Sequence, residues 1–241
     1  MAQRSQIDVR VISIGTLGRH PLWAEQGQMR TGHATCTLVR SGSAVILVDP
    51  GLPPEAMAQR LAERTGLRAS DVTHVFLTSF QQDTCRGLGA FEGAHWLIAG
   101  HEREQVGVPL IGKLHRASDE GEHAVRDELA RQISLLHKCN AAEETLAEGV
   151  DLFPLYGITP GLTGLIVETA DLTTLICGDA LATSEHYAQR KVLPLPFNLD
   201  AAKASFGEIL QIADVIVPGR DNVMINDIEV GPGEEEAIPR D

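Results

Sequence analysis

The sequence predicts a layered α/β sandwich, two β-sheets packed face to face with helices outside, and three observations carry that expectation. Short apolar, β-branched runs recur along the chain; several cluster as hairpins near Thr35–Asp49 and Gly164–Asp179; and amphipathic helical patterns lie between them. With 241 residues and 43% apolar content the chain can bury a sizeable core, and a single domain over 1–241 is the simplest reading.

In order, the runs that read as strands are Val9–Ile14, Thr35–Val39, Ala44–Val48, His74–Thr78, Trp96–Ala99, Leu165–Glu168, Thr173–Cys177 and Val215–Val217. The clearest helix spans Pro54–Thr65: Pro53 and Pro54 suit its entry, Met57 and Leu61 share a face, and Gly66 suits its exit. A second runs from about Glu122 to His137 with Val125, Leu129, Ile133 and Leu136 on one stripe. A third covers Ala201–Ile212, with Phe206, Ile209, Leu210 and Ile212 on its apolar side. The polar, helix-prone stretch at about 101–149 reads as a helical insert above the sheets, and the Gly, Pro and Glu-rich end at about 231–241 as a flexible tail.

Lys plus Arg total 20 against 33 Asp plus Glu, a formal charge of -13 that repels phosphate backbones and anionic lipid surfaces, so neither nucleic acid nor membrane is an expected partner. Met1–Arg10 has no continuous apolar core, which points away from a secretory signal and towards a cytoplasmic location. Cys36, Cys85, Cys139 and Cys177 form no C-x-x-C pair and read as reduced, packed thiols. A small-molecule ligand and homo-oligomerisation are both compatible with this composition.

Four stretches, in order, resemble the metallo-β-lactamase superfamily: AVILVDPGL at Ala44–Leu52, DVTHVFLTSFQQDTCRGLGAF at Asp71–Phe91, TPGLTG at Thr159–Gly164 with LICGDAL at Leu175–Leu181, and VIVPGR at Val215–Arg220. The resemblance implies a four-layer αββα sandwich, an α/β (α+β) fold, and a metal site built on an H-x-H-x-D-H loop, a TPGHT segment, an aspartate after the following strand, and a PGH turn. Carried over position by position, Ser79, Gln81 and Thr84 stand where the loop has histidines, and Asp83 keeps its carboxylate. Leu162 replaces the TPGHT histidine, Asp179 is retained, and Arg220 replaces the last histidine. Five of seven ligand positions have thus lost their imidazole, and both survivors are carboxylates.

Zinc needs about three nitrogen, sulfur or carboxylate donors and an open position for water. Leu162 cannot coordinate, Ser79 and Gln81 are weak neutral donors, and Arg220 carries a fixed positive charge. No zinc or other cofactor is therefore expected, and no residue is assigned as catalytic. The rim of Ser79, Gln81, Asp83, Thr84, Leu162, Asp179 and Arg220, with Asp49 and Cys85 beside it, is the candidate binding cleft. Asp83 and Asp179 could attract Mg²⁺ or Ca²⁺, which favour oxygen donors, but a guanidinium fits the same niche and Arg220 is preferred. Without a cation, the two carboxylates would repel and at least one would be driven towards its neutral form.

The nine histidines form no H-x-H or H-x-x-x-H pair, so a displaced zinc site is disfavoured. His74 and His95 read as strand residues, His101–Glu102 as a non-ligand pair, and His115, His123 and His137 as the solvated side of the insert. Ser79 or Cys85 as nucleophile would need an adjacent base, and the loop offers only Asp83; Cys85 reads as a packed thiol. Thr16–His33, with Trp23 and Met29, is expected to border the cleft.

The leading functional expectation is a non-catalytic pseudoenzyme that binds a small molecule or serves as scaffold. The alternative, implied by the resemblance, is an atypical hydrolase of ester, thioester or lactone-like substrates with a non-standard or metal-free site. An interaction protein using the insert or tail is a third class.

Overall fold

The computed structural model describes residues 7–227. Its first sheet contains β1 (Asp8–Ser13), β2 (Cys36–Ser41), β3 (Ala44–Val48), β4 (His74–Leu77), β5 (His95–Ile98) and β6 (Asn140–Ala141), neighbours in that order. The second contains β7 (Thr145–Ala147), β8 (Val150–Pro154), β9 (Thr163–Glu168), β10 (Thr173–Gly178), β11 (Val215–Pro218) and β12 (Met224–Ile225), again side by side in chain order. The helices are α1 (Pro54–Thr65), α2 (Gln82–Cys85), α3 (Gly100–Asp119), α4 (His123–Lys138), α5 (Ser184–Gln189) and α6 (Leu199–Ile212).

The period-2 alternation of the strands sorts their side chains into four layers. In β3, Ile46 and Val48 join Phe76, Leu165, Val167, Ile176 and Val217 in an apolar layer between the sheets. Leu47, with Val75 and Leu77 of β4, faces the other way, onto Met57 and Leu61 of α1 and Leu110, Leu129 and Leu136 of α3 and α4. On the far side Leu175 and Cys177 of β10 pack with Phe206, Ile209 and Leu210 of α6. These opposed faces are what makes the molecule an αββα sandwich.

Helix α1 ends at Gly66, whose left-handed φ of 74° lets its N–H close on the Ala62 carbonyl, a terminus that favours glycine. Two expected apolar stripes extend past the core: Val125 is 48% exposed and Ile212 40%, because α4 and α6 bury only the part of each stripe that lies over a sheet. The helical stretch runs only to Lys138, not to 149. Asn140–Ala141 and Thr145–Ala147 join the edges of the two sheets, and these pairings are too short to leave a strand pattern in the sequence. The strand at Val150–Pro154 and the helix over Gly100–Asp119 were not resolved as elements by the sequence pattern. Pro154 and Asp151 disfavour a strand reading, and Pro109 inside α3 disfavours a helix. The tail expected at 231–241 lies outside the described residues.

Strands β3 and β4 are parallel, as are β10 and β11, so within each sheet the following loops leave from one edge, and the Arg220–Asp83 and Thr163–Thr78 contacts bring the two edges together. Among the described residues no helix is long and apolar enough to cross a membrane.

Candidate functional site

That edge gathers Asp49 after β3, the Thr78–Thr84 loop after β4, Asp179 after β10 and Arg220 after β11. Short backbone bonds tie the edge together across the sheets: Thr163 N–H to Thr78 O at 3.0 Å, Thr35 N–H to Gly219 O at 2.7 Å, and Ala34 N–H to Asp83 O at 2.9 Å. Gly178 has a φ of 52°, and a Cβ there would lie 2.5 Å from the Thr78 hydroxyl, so no larger residue fits where the two rims meet.

Arg220 is the centre of the arrangement. Its backbone N–H is held by Ala182 O at 2.8 Å, and its buried side chain turns into the rim. Nε donates to Asp179 Oδ1 at 2.7 Å and Nη2 to Asp179 Oδ2 at 2.6 Å, a bidentate fork, while Nη1 donates to Asp83 Oδ2. Burial works against the guanidinium's charge, but Asp179 and Asp83 outweigh it and raise its pKa above the ordinary arginine range. Asp179 is buried, whereas the Asp83 side chain remains 27% exposed.

Asp49 lies deeper, accepting from Thr78 N at 2.9 Å and from the Thr78 hydroxyl at 2.6 Å. Burial pushes its carboxyl up to about 7; the Thr78 bonds pull the other way, and the charge of Asp179 adds to the rise.

The remaining sequence-selected positions are not all turned to the rim. The Thr84 hydroxyl closes the loop on itself, donating to Ser79 O at 2.8 Å, and accepts Gln81 N–H at 3.2 Å. Ser79 is fully buried, and among the described residues its hydroxyl has no hydrogen-bond partner. Leu162 is fully buried in the apolar layer with Leu155, Leu175 and Phe206. Cys85 packs in the layer beneath α1, and burial pushes its thiol up to about 11, far from nucleophilic at neutral pH.

Two groups escaped the sequence reading. Glu102, passed over as part of a non-ligand pair, is fully buried in the first turn of α3. Oε1 accepts Phe80 N–H at 3.1 Å, and Oε2 accepts the Thr159 hydroxyl at 2.8 Å and Gly161 N–H at 3.0 Å. A Cβ on Gly161 would sit 2.2 Å from Glu102 N, which is why the TPGLTG turn can approach the helix only with glycine there. The second group surrounds His20, which stacks on Trp23 at 4.1 Å between ring centroids. His20 Nδ1 accepts Leu22 N–H at 3.3 Å, which leaves Nε2 to face Thr183 Oγ1 at 3.1 Å and Glu185 Oε2 at 3.3 Å. His186, also buried, has its Nδ1 2.9 Å from the Thr183 hydroxyl and an Nε2 with no partner among the described residues; burial first, and His20 second, lower its pKa to about 4.

His20, Trp23, Arg30, Ser184, Glu185 and Arg220, with residues 15–17, line a cavity of about 280 Å³ beside the rim. The Thr16–His33 segment thus borders it. His115, His123 and His137 are exposed. His74 and His95 lie on neighbouring strands with ring centroids 5.5 Å apart. Among the described residues no group of three or more His, Cys, Asp or Glu side chains is placed to hold a metal ion.

The fold has well-documented counterparts. A candidate metallo-β-lactamase of Thermotoga maritima superposes with a TM-score of 0.67 at 15% identity, over 91% of this chain and 99% of that one. A B. thuringiensis AiiA variant with N-decanoyl-L-homoserine at its active site gives 0.61 at 19% identity, over 90% and 94%. AidC, a dizinc quorum-quenching lactonase, gives 0.55 at 20% identity, over 74% and 67%. No curated protein sequence matches the chain. The sequence model of the metallo-beta-lactamase superfamily matches residues 29–220, which include the rim from Asp49 to Arg220, and the chain belongs to that superfamily.

Proposed function

We propose that this chain is a non-catalytic member of the superfamily, a pseudoenzyme whose rim is structural and which acts by binding a small molecule or as a scaffold. The observation that carries the reading is the Arg220 guanidinium, which takes up both rim carboxylates at once. The family's metal does not fit the residues present. Both Asp179 oxygens and one Asp83 oxygen are taken by a fixed cation, Leu162 has no donor atom and is packed away, and the Thr84 hydroxyl is spent within the loop. A dication brought between these carboxylates would face the guanidinium charge at contact distance. Ser79 supports no nucleophilic route either, since its buried hydroxyl has no base within hydrogen-bonding reach.

The rim cavity, at about 280 Å³, lies at the lower end of the ~300–1,000 Å³ usual for small-molecule sites. The competing reading is an atypical hydrolase of ester, thioester or lactone-like substrates, supported by the lactonases among the structural counterparts. Elemental analysis of protein purified without chelator, paired with an N-acyl homoserine lactone hydrolysis assay with and without added zinc, separates the two. The pseudoenzyme reading expects far less than stoichiometric zinc and no turnover above buffer. Stoichiometric zinc lost in an Asp83→Ala/Asp179→Ala variant, or zinc-dependent turnover, would overturn it.

A further inference from the structure

A larger cavity, about 680 Å³, lies on the other side of the loop helix α2 from Arg220, between α2, α3 and α4. Gln82 and Cys85 of α2 line it, whereas Asp83 of the same turn reaches the rim. Its volume is in the middle of the range that encloses a drug-sized molecule. Phe80, Leu88, Val106, Leu110 and Leu135 give it an apolar lining, with Leu88 and Leu110 buried at its base.

The charged residues on its wall are Arg86, Lys113 and Arg131, and among the described residues no Asp or Glu lines it. In a chain with a formal charge of -13 this is a local reversal of sign. Arg131 is forked onto Glu128 at 2.7 and 2.9 Å, which offsets its charge. Among the described residues neither Arg86 nor Lys113 forms an ion pair; Arg86 reaches only the Gly32 carbonyl, at 3.4 Å. Two uncompensated cations beside an apolar interior are a matched set for one chemistry: an anionic head, held by charge-assisted hydrogen bonds, on an apolar tail withdrawn from water.

We propose that this cavity binds an amphiphilic carboxylate of medium chain length, such as a fatty acid, with its head near Arg86 and Lys113 and its tail against Leu88 and Leu110. The site is independent of the rim, so it stands whether or not the pseudoenzyme reading does. A purely polar anion would leave the apolar base unfilled, and an uncharged hydrocarbon would leave both cations unused.

Titration calorimetry of the full chain with decanoate tests this, with hexanoate and decyltrimethylammonium as comparison probes. Decanoate is expected to bind saturably with one site per chain. Hexanoate should bind at least ~10-fold more weakly, since each buried methylene is worth about 0.8 kcal/mol. Decyltrimethylammonium should not saturate. The Arg86→Glu/Lys113→Glu variant should weaken decanoate at least ~10-fold, as reversal of two charges beside the head turns attraction into repulsion. Val106→Trp should abolish binding by filling the space, and an unchanged far-UV circular dichroism spectrum would show the variant folded. Absence of saturable decanoate binding, equal binding of the cationic probe, or decanoate binding unchanged in the charge-reversed variant would each overturn the proposal.

Discussion

The loop at Thr78–Thr84 is anchored from two sides by opposite chemistry. On one side the Arg220 guanidinium holds two carboxylates, one of them on the loop; on the other the Glu102 carboxylate collects the Phe80 amide, the Thr159 hydroxyl and the Gly161 amide. The first anchor is an ion cluster whose parts are costly without each other. The second is a buried carboxyl group held by three hydrogen bonds and, among the described residues, by no ion pair. The contrast shows that protein groups alone hold the loop from both sides in this structure. Its Arg220 side is held by a cation, and its Glu102 side by amide and hydroxyl donors.

The largest effect is expected from removing the cation. Arg220→Ala leaves Asp83 and Asp179 facing each other, and breaking a buried pair this way costs about 3–5 kcal/mol. Both carboxylates are charged at pH 7 when Arg220 is absent only at the expense of mutual repulsion. Near pH 4 protonation relieves that repulsion, so the loss measured by urea unfolding should be smaller there than at pH 7. Arg220→Lys, which keeps a charge but not the fork, should lie between wild type and Arg220→Ala. Equal losses at the two pH values would mean that Arg220 acts by packing alone and would collapse the contrast.

Glu102→Ala is expected to cost less, about 1–3 kcal/mol, because the donors left behind belong to loops that can turn partly towards water. Its signature is local: hydrogen exchange at the Phe80 and Gly161 amides should speed up, while the Arg220 side of the loop is unaffected. Spread of faster exchange to Asp179 and Arg220 would show that the two anchors act as one unit.

The unequal legibility of these anchors has a physical origin. Arg220 could be paired with Asp83 and Asp179 from sequence because three separate motifs, each a strand end followed by a turn, converge on a known edge. Glu102 had no such signal: its partners are two backbone amides and a hydroxyl, groups that leave no mark in residue identity. Leu162 shows the complementary failure. Its position in TPGLTG placed it on the rim, but an apolar side chain freed from any ligand role is drawn into the layer with Leu155 and Leu175. The strands themselves were legible at β3 and β10, as short apolar, β-branched runs. They were hidden in α3, where Pro109, Gly107 and Gly112 mask a helix sustained by packing.

The smallest expected effect belongs to Asp49, which shares the Arg220 side of the loop but is compensated mainly by Thr78. Its carboxyl titrates at about 7 in the folded protein against 3.8 for the free group. Between those values the folded state binds a proton that the unfolded state has released, so Asp49 makes stability fall as pH rises from about 4 to 7 and adds no further slope above that. His186 works in the opposite sense: with its pKa lowered from 6.5 to about 4, it makes stability fall as pH drops through that window. The two slopes oppose each other between pH 4 and 6.5 and mask one another in the wild type. Asp49→Asn keeps an acceptor for the Thr78 amide, and Thr78 can rotate its hydroxyl to accept from the new amide, so stability near pH 5 should change by no more than about 1 kcal/mol. With the Asp49 slope removed, the His186 slope stands alone, and the variant should gain stability relative to wild type as pH rises from 5 to 7.5. Parallel pH profiles for the two proteins would instead mean that Asp49 stays ionised throughout, with the charge of Arg220 reaching it as well as its two neighbours.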